Sequence, residues 1–285
     1  MQDLRNYATD KEFLRSIAGN NYKIPDTLDS FAFARALFSN FSSSDGELRD
    51  ELSYMIFANG IIAKQKLMPE ESEKLLGTAL DNEHLFYRIG EFDTDSVFMR
   101  SFSNLVIVAL LYSDAHQPTF SAETIQQTKK ALLTYARLEK DWRGYVERKG
   151  WAHAMAHLAD ALDECAQNRT MGVLDRKEIL TLISELAKSS EPLHHEEDVR
   201  LAMAAYHIIL GKQVDEEYLK IWADTCFVQR DADVVSWTRG TNAKNFLRSL
   251  YFLLHWDSVV PMLAERISTV LKQQDEVYLF ARANE

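Results

Sequence analysis

From Glu47 onward, apolar residues recur at three- and four-residue intervals in one segment after another. In Glu47–Gln65 the positions Leu48, Leu52, Met55, Ile56 and Ile62 share one face of a helix. The residues that interrupt such a rhythm are scarce. The 285-residue chain holds 10 glycines and 5 prolines, well below average usage. Sheets joined by tight turns and glycine-rich phosphate loops both need that punctuation. The expected fold class is therefore all-α.

The same periodicity marks helices opening at Pro69, over Val97–Tyr112, and from Ser121 to about Lys140. Further helices are expected over Gly150–Gln167, Asp175–Ser189, Glu196–Leu210, Asp215–Phe227, Thr241–Trp256 and Ser258–Gln274. Val97–Tyr112 is apolar almost all round and should be deeply buried. Only Val277–Phe280 alternates enough to suggest a strand. Taken in pairs, the first helices start near residues 47, 95, 150, 197 and 241. That interval is roughly 44–55 residues, against the ~40–47 of HEAT and armadillo repeats. Trp151-x-x-Ala-Met-Ala is echoed by Val199-x-x-Ala-Met-Ala, and Arg49, Arg100, Arg200 and Arg248 each fall in a first helix. The expected architecture is an α-solenoid, an α-α superhelix of about five helix pairs, with a plain helical bundle as the alternative. It is expected as one domain over 1–285. Residues 1–44 would form an N-terminal helical cap anchored by Phe31, Phe33, Leu37, Phe38 and Phe41. Residues 45–275 would form the helical-pair repeats and 276–285 a C-terminal tail.

Thirty-two basic residues against 43 acidic ones give a net charge of −11. An acidic surface without a compact Lys/Arg cluster repels phosphate backbones, so no nucleic acid is expected as a partner. The most apolar run, Leu105–Tyr112, is far shorter than the ~20 residues that span a bilayer, and no membrane partner is expected. The N-terminal stretch carries Asp3, Arg5 and Asp10 and lacks the pattern of a targeting peptide. Two cysteines, Cys165 and Cys226, both inside helical patterns, fit a reducing compartment and a cytoplasmic location.

The most informative helix is the one expected over Gly150–Gln167. Trp151, Met155, Leu158, Leu162 and Cys165 line one side of it, and His153, His157, Asp160 and Glu164 the other, with alanines between. Two histidines four apart with a following carboxylate can reach one metal ion. Ala154 stands where the zincin motif needs its general base, so that motif fails. His194-His195-Glu196-Glu197 would be the donor of a further ligand. The plainer reading of the stripe is a solvated face or a polar binding surface. Cys165 lies on the apolar side, away from both histidines, which makes a Cys/His nucleophile unsuitable.

Other clusters have plain structural readings. Asp93 and Asp95 precede a helix and read as capping residues. Arg49 with Asp50 and Glu51 reads as ion pairing, and His194–Asp198 as an acidic helix start with two exposed imidazoles. Trp142-Arg143-Gly144-Tyr145 and Trp237–Asn245 read as aromatic and basic loops of the kind found at binding surfaces. No Walker loop, dinucleotide fingerprint, nucleophile elbow, zinc-cysteine pattern or kinase signature is present.

Three stretches together resemble a known family: Arg-Asp-Glu-Leu-Ser-Tyr-Met-Ile-Phe-Ala at 49–58, Phe-Asp-Thr-Asp-Ser-Val-Phe-Met-Arg-Ser-Phe-Ser at 92–103, and Lys-Gly-Trp-Ala-His-Ala-Met-Ala-His-Leu-Ala-Asp at 149–160. They are similar to a bacterial family of uncharacterised, all-helical cytosolic proteins, a domain of unknown function. Where its members typically carry Gly after the second His, this chain has Leu158. The resemblance implies an all-helical fold and brings no substrate, cofactor or catalytic residue. A broader likeness to HEAT-like repeats is analogy of fold only.

The function expected is that of a non-catalytic protein- or peptide-binding scaffold with no cofactor and no bound metal. Its surface would combine Arg100, Trp142, Arg143, Trp151, His153, His157, Asp160 and Arg200. The alternative is a metal-dependent hydrolase with His153, His157 and Asp160 as ligands. The sequence does not indicate an oligomeric state.

Overall fold

The structure, a computed structural model, describes residues 2–279. It is all-α apart from one two-stranded hairpin, and its residues form two compact units, Met1–Arg169 and Thr170–Glu285.

The first unit opens with α1 (Gln2–Thr9), α2 (Lys11–Gly19) and α3 (Ser30–Phe38), followed by a 3-10 turn at Ser39–Ser42. Asp10 and Asp29 cap α2 and α3 by accepting backbone N–H groups. Phe33, Leu37, Phe38 and Phe41 are buried as expected, while Phe31 is half-buried. The helix anticipated over Glu47–Gln65 forms with a different hydrogen-bond register. Glu47–Tyr54 and Ile56–Ile62 are π-helical, with five-residue bonds such as Ala63 N to Ala58 O at 2.8 Å and Lys66 N to Ile61 O at 3.0 Å. Gly60 lets the 22–24 segment close on this stretch, because a Cβ there would lie 2.9 Å from the Tyr22 carbonyl oxygen.

Next come α4 (Pro69–Ala79), α5 (Ser96–His116), α6 (Ala122–Leu138), β1 (Tyr145–Val146), β2 (Gly150–Trp151) and α7 (Ala154–Gln167). Helix α5 is central: α7, α4, the 3-10 turn and the second π-helical segment all pack on it. It is buried nearly all round, as its composition requires. By length and composition alone α5 is apolar enough to cross a bilayer, but most of it is covered by its neighbours, as in a core helix.

The second unit holds α8 (Val173–Leu186), α9 (Glu197–Leu210), α10 (Glu216–Asp224), α11 (Val234–Trp256), α12 (Pro261–Gln274) and the short α13 (Glu276–Leu279). Helix α11 packs on α9 and α12, and α10 on α12 and α8. The Trp222 indole N–H donates to the Leu180 carbonyl at 2.6 Å, and Arg266 grips Asp224 through two bonds of 2.6 Å. Asn242, buried on α11, holds the 189–193 loop by donating to the Ser189 and Glu191 carbonyls and accepting from Leu193 N–H.

Several expectations need correction. The helix over Gly150–Gln167 begins only at Ala154, because Gly150 takes φ +85° and His153 φ +47°, which end helical geometry. Trp237–Asn245 is not a loop but part of α11. Val277–Leu279 is helical rather than extended, and Phe280 lies outside the described residues, as does the rest of the tail. The four arginines of the apparent echo are not equivalent: Arg49 and Arg100 are buried, Arg200 and Arg248 exposed.

Candidate functional site

The segment joining α6 to α7, residues 139–153, carries most of the aromatic and charged residues that the sequence singles out. It has almost no regular structure to hold it, so its conformation depends on side chains from elsewhere in the first unit. Two buried arginines do most of this.

Arg100, on α5, meets Glu139 at the end of α6. Nε lies 2.6 Å from Oε2 and Nη2 2.9 Å from Oε1, with both side chains fully buried. The same guanidinium donates to the Tyr87 carbonyl at 3.0 Å and to Ser96 Oγ at 2.7 Å. Glu139 Oε1 also accepts the Lys140 and Asp141 N–H groups. Asp141, itself buried, accepts the Asp93 N–H at 3.0 Å and two Arg143 N–H groups at 2.7 Å. Arg143 continues to Asp93 Oδ1 and the Thr94 carbonyl.

Arg49 fastens the far side of the loop. Its guanidinium lies 3.9 Å above the Phe98 ring, a desolvated cation–π contact. It donates to the Ser43 carbonyl at 2.6 Å, the Lys149 carbonyl at 2.8 Å and the Trp151 carbonyl at 3.3 Å. Asp50 Oδ1 sits 2.6 Å from its Nε. Burial pushes the Asp50 carboxyl up to about 6, against the opposing pull of Arg49. Only glycine fits at 150: φ is +85°, and a Cβ would sit 3.1 Å from Arg49 Nη2.

So held, the antiparallel hairpin pairs Tyr145 with Trp151 and presents both to solvent. Their rings meet edge to face at 5.0 Å. Trp151 stacks on His153 at 4.1 Å, His153 meets His157 at 5.7 Å, and His157 meets Phe102 at 5.4 Å. An aromatic file thus runs from the exposed hairpin into the core.

Histidine 157 is buried, and its Nδ1 lies 2.7 Å from Ser101 Oγ. The Ser101 hydroxyl donates to the Ala152 carbonyl, so its oxygen accepts from His157, which must carry the proton on Nδ1. A serine in that arrangement is a fastener, not a nucleophile awaiting a base. This pairing escaped the sequence reading: Ser101 is one of several buried polar residues on α5, beside Arg100, Ser103 and Asn104, and nothing local marks it.

The other anticipated residues divide. Arg100 is enclosed and cannot reach a partner. Trp142 turns inward onto Tyr135, at 6.2 Å, and onto the cluster of Val97, Phe98, Ala152 and Ala154. Trp151, expected on a core stripe, is on the surface instead. Asp160 is half-buried. With burial as the larger cause, its charge helps push the Tyr54 phenol up to about 12. Arg200 is exposed on α9, in the second unit. Asp95 occupies the N-cap position of α5, but its side chain makes no capping bond and pairs with Lys149 at 2.7 Å, while Asp93 pairs with Arg143. His194 is exposed but His195 is half-buried, its N–H held by the buried Glu197 at 2.7 Å. Among the described residues, no group of three or more His, Cys, Asp or Glu is placed to hold a metal ion.

A family model described as a protein of unknown function (DUF2785) matches residues 85–252, and the chain belongs to that family. The match contains α5, the hairpin and α7. No curated protein and no solved structure matches the chain.

Proposed function

We propose that the protein is a non-catalytic protein- or peptide-binding scaffold of the HEAT-like, α-solenoid kind, with Tyr145, Trp151 and His153 as its contact platform. The observation that carries this is the coexistence of exposed aromatics with a backbone held in place by buried charge. A rigid aromatic pair contributes large contact area without the ordering cost that a mobile loop would add. The net charge of −11 disfavours nucleic acid as the partner. Two buried cysteines, neither in a disulfide, fit a cytoplasmic setting. Hydrolysis on a His153, His157 and Asp160 metal centre gains no support, since among the described residues no group of three or more His, Cys, Asp or Glu is placed to hold a metal ion.

A displayed random-peptide library selected on the immobilised protein tests the proposal. Enriched peptides should bind Trp151→Ala about tenfold more weakly than the wild type, as loss of an aromatic anchor implies. Circular dichroism should show the same helicity in both. Failure to enrich any peptide, or equal binding to the two proteins, would overturn it.

A further inference from the structure

A second feature of the first unit lies apart from the hairpin platform. Between the π-helical segment and the last turns of α5 opens a cleft of about 520 Å³, within the range of small-molecule sites. Its walls are set by residue size. Ala58 and Ala63 stand on one side and Ala109 on the other, where larger residues would fill the space. Ala58 and Ala63 are themselves the two ends of a π-type bond. Five-residue turns of this kind are rare, less favourable than α-helical ones and concentrated at functional sites.

The chemistry of the lining is narrow. No Lys, Arg, Asp or Glu side chain lines the cleft, so a charged ligand would find no carboxylate, ammonium or guanidinium to pair with. Two tyrosines, Tyr54 and Tyr112, supply aromatic surface. His116 packs against Tyr112 at 4.5 Å, and its Nδ1 lies 2.8 Å from the Tyr112 carbonyl oxygen. A carbonyl only accepts, so Nδ1 carries the proton and Nε2 is the ring nitrogen left to face a ligand. Asn59 spends one amide proton on the Met55 carbonyl at 3.1 Å, with Met55 Sδ a weak second acceptor at 4.0 Å, which leaves its carbonyl oxygen for a ligand.

We infer that this cleft binds an uncharged, flat ring compound that hydrogen-bonds through an N–H or amide edge to His116 and Asn59. The flat ring matches the tyrosine surfaces and the space left by the alanines, and the edge matches the His116 ring nitrogen beside a primary amide. Aliphatic chains would use the volume but leave the polar groups unanswered, and carboxylates would find no cation.

The test uses the full chain and ligand-observed NMR, with indole-3-carboxamide and benzamide as probes. Indole-3-carboxylate, cyclohexanecarboxamide and octanoate serve as the charged and aliphatic comparisons. Saturation transfer from the protein to both ring amides is expected, with each comparison compound at least tenfold weaker. Ala58→Phe and the surface-facing Ala63→Trp should each abolish transfer by filling the cleft, while His116→Ala should weaken it several-fold. Trp151→Ala should leave it unchanged, which separates this site from the hairpin platform. The inference falls if neither ring amide binds up to its solubility limit. It falls equally if the filled variants bind like the wild type, or if octanoate or the carboxylate binds as well as the amides.

Discussion

Arg100 and Glu139 meet in a two-pronged ion pair from which water is excluded, although 39 positions separate them in the chain. Neutral groups also bond both ends, the Tyr87 carbonyl and Ser96 on Arg100 and two backbone N–H groups on Glu139, but they carry no charge to offset a buried ion. Glu139→Ala is expected to cost ~3–5 kcal/mol in urea denaturation, because it strands the guanidinium in the core. The double variant Arg100→Met/Glu139→Leu should recover part of that loss. A single-variant cost below about 1 kcal/mol would show that the pair does not hold the loop.

Arg49 presents a different geometry, a plane stacked on Phe98 with N–H groups fanned toward three carbonyls. An ammonium cannot reproduce the plane or the fan. Arg49→Lys should cost about 2–3 kcal/mol and loosen the hairpin tip, where Arg148 is exposed. Limited trypsin digestion read by mass spectrometry should show cleavage after Arg148 and Lys149 appearing earlier than in the wild type.

The Asp50 carboxyl, raised to about 6 by burial, makes stability depend on pH in a defined window. The folded chain binds this proton more tightly than the unfolded chain does. Raising the pH therefore ionises the unfolded group first, from about pH 4, and stability falls until the folded group ionises near pH 6. The loss is at most roughly 3 kcal/mol. Denaturation midpoints measured across that window should drop for the wild type relative to Asp50→Asn and run parallel above it. Parallel curves throughout would contradict the raised carboxyl.

Cys165 and Cys226 are both fully buried, and burial pushes the Cys226 thiol up to about 12. Thiolate is the reactive form. Neither cysteine should react with a thiol reagent such as DTNB in the native state, and both should react in denaturant. Prompt labelling of either one in buffer would contradict the packing around it.

Much of the helical framework was legible because capping and apolar spacing are local. The helix expected from Ser121 to about Lys140 is Ala122–Leu138, with Ser121 accepting Thr124 N–H at 3.1 Å. That expected over Glu196–Leu210 is Glu197–Leu210. The π register of Glu47–Ile62 was not legible, since the same apolar pattern suits four- and five-residue bonding, and Gly60 reflects contact with a distant segment. The hairpin was hidden for another reason. Its strands are two residues each, too short for any alternation to register. Carrying helical spacing back through Gly150 put Trp151 on the wrong side. The stripe expected to be polar on α7 turns partly inward. His157 is buried against Ser101, a partner 56 positions earlier that spacing cannot reveal.

The anchors of the hairpin also set an order of events. The carbonyls and the carboxylate that fix residues 139–153 are met by Arg49, itself stacked on Phe98, and by Arg100, all synthesised before the loop itself. On a ribosome, the docking partners of the loop have already emerged when its own residues appear, and no anchor described for it lies in Thr170–Glu285. Yet each of these contacts spans a long stretch of chain, and such contacts form late in folding. An intermediate with its helices formed but the arginines not yet seated would display Trp151 without its frame.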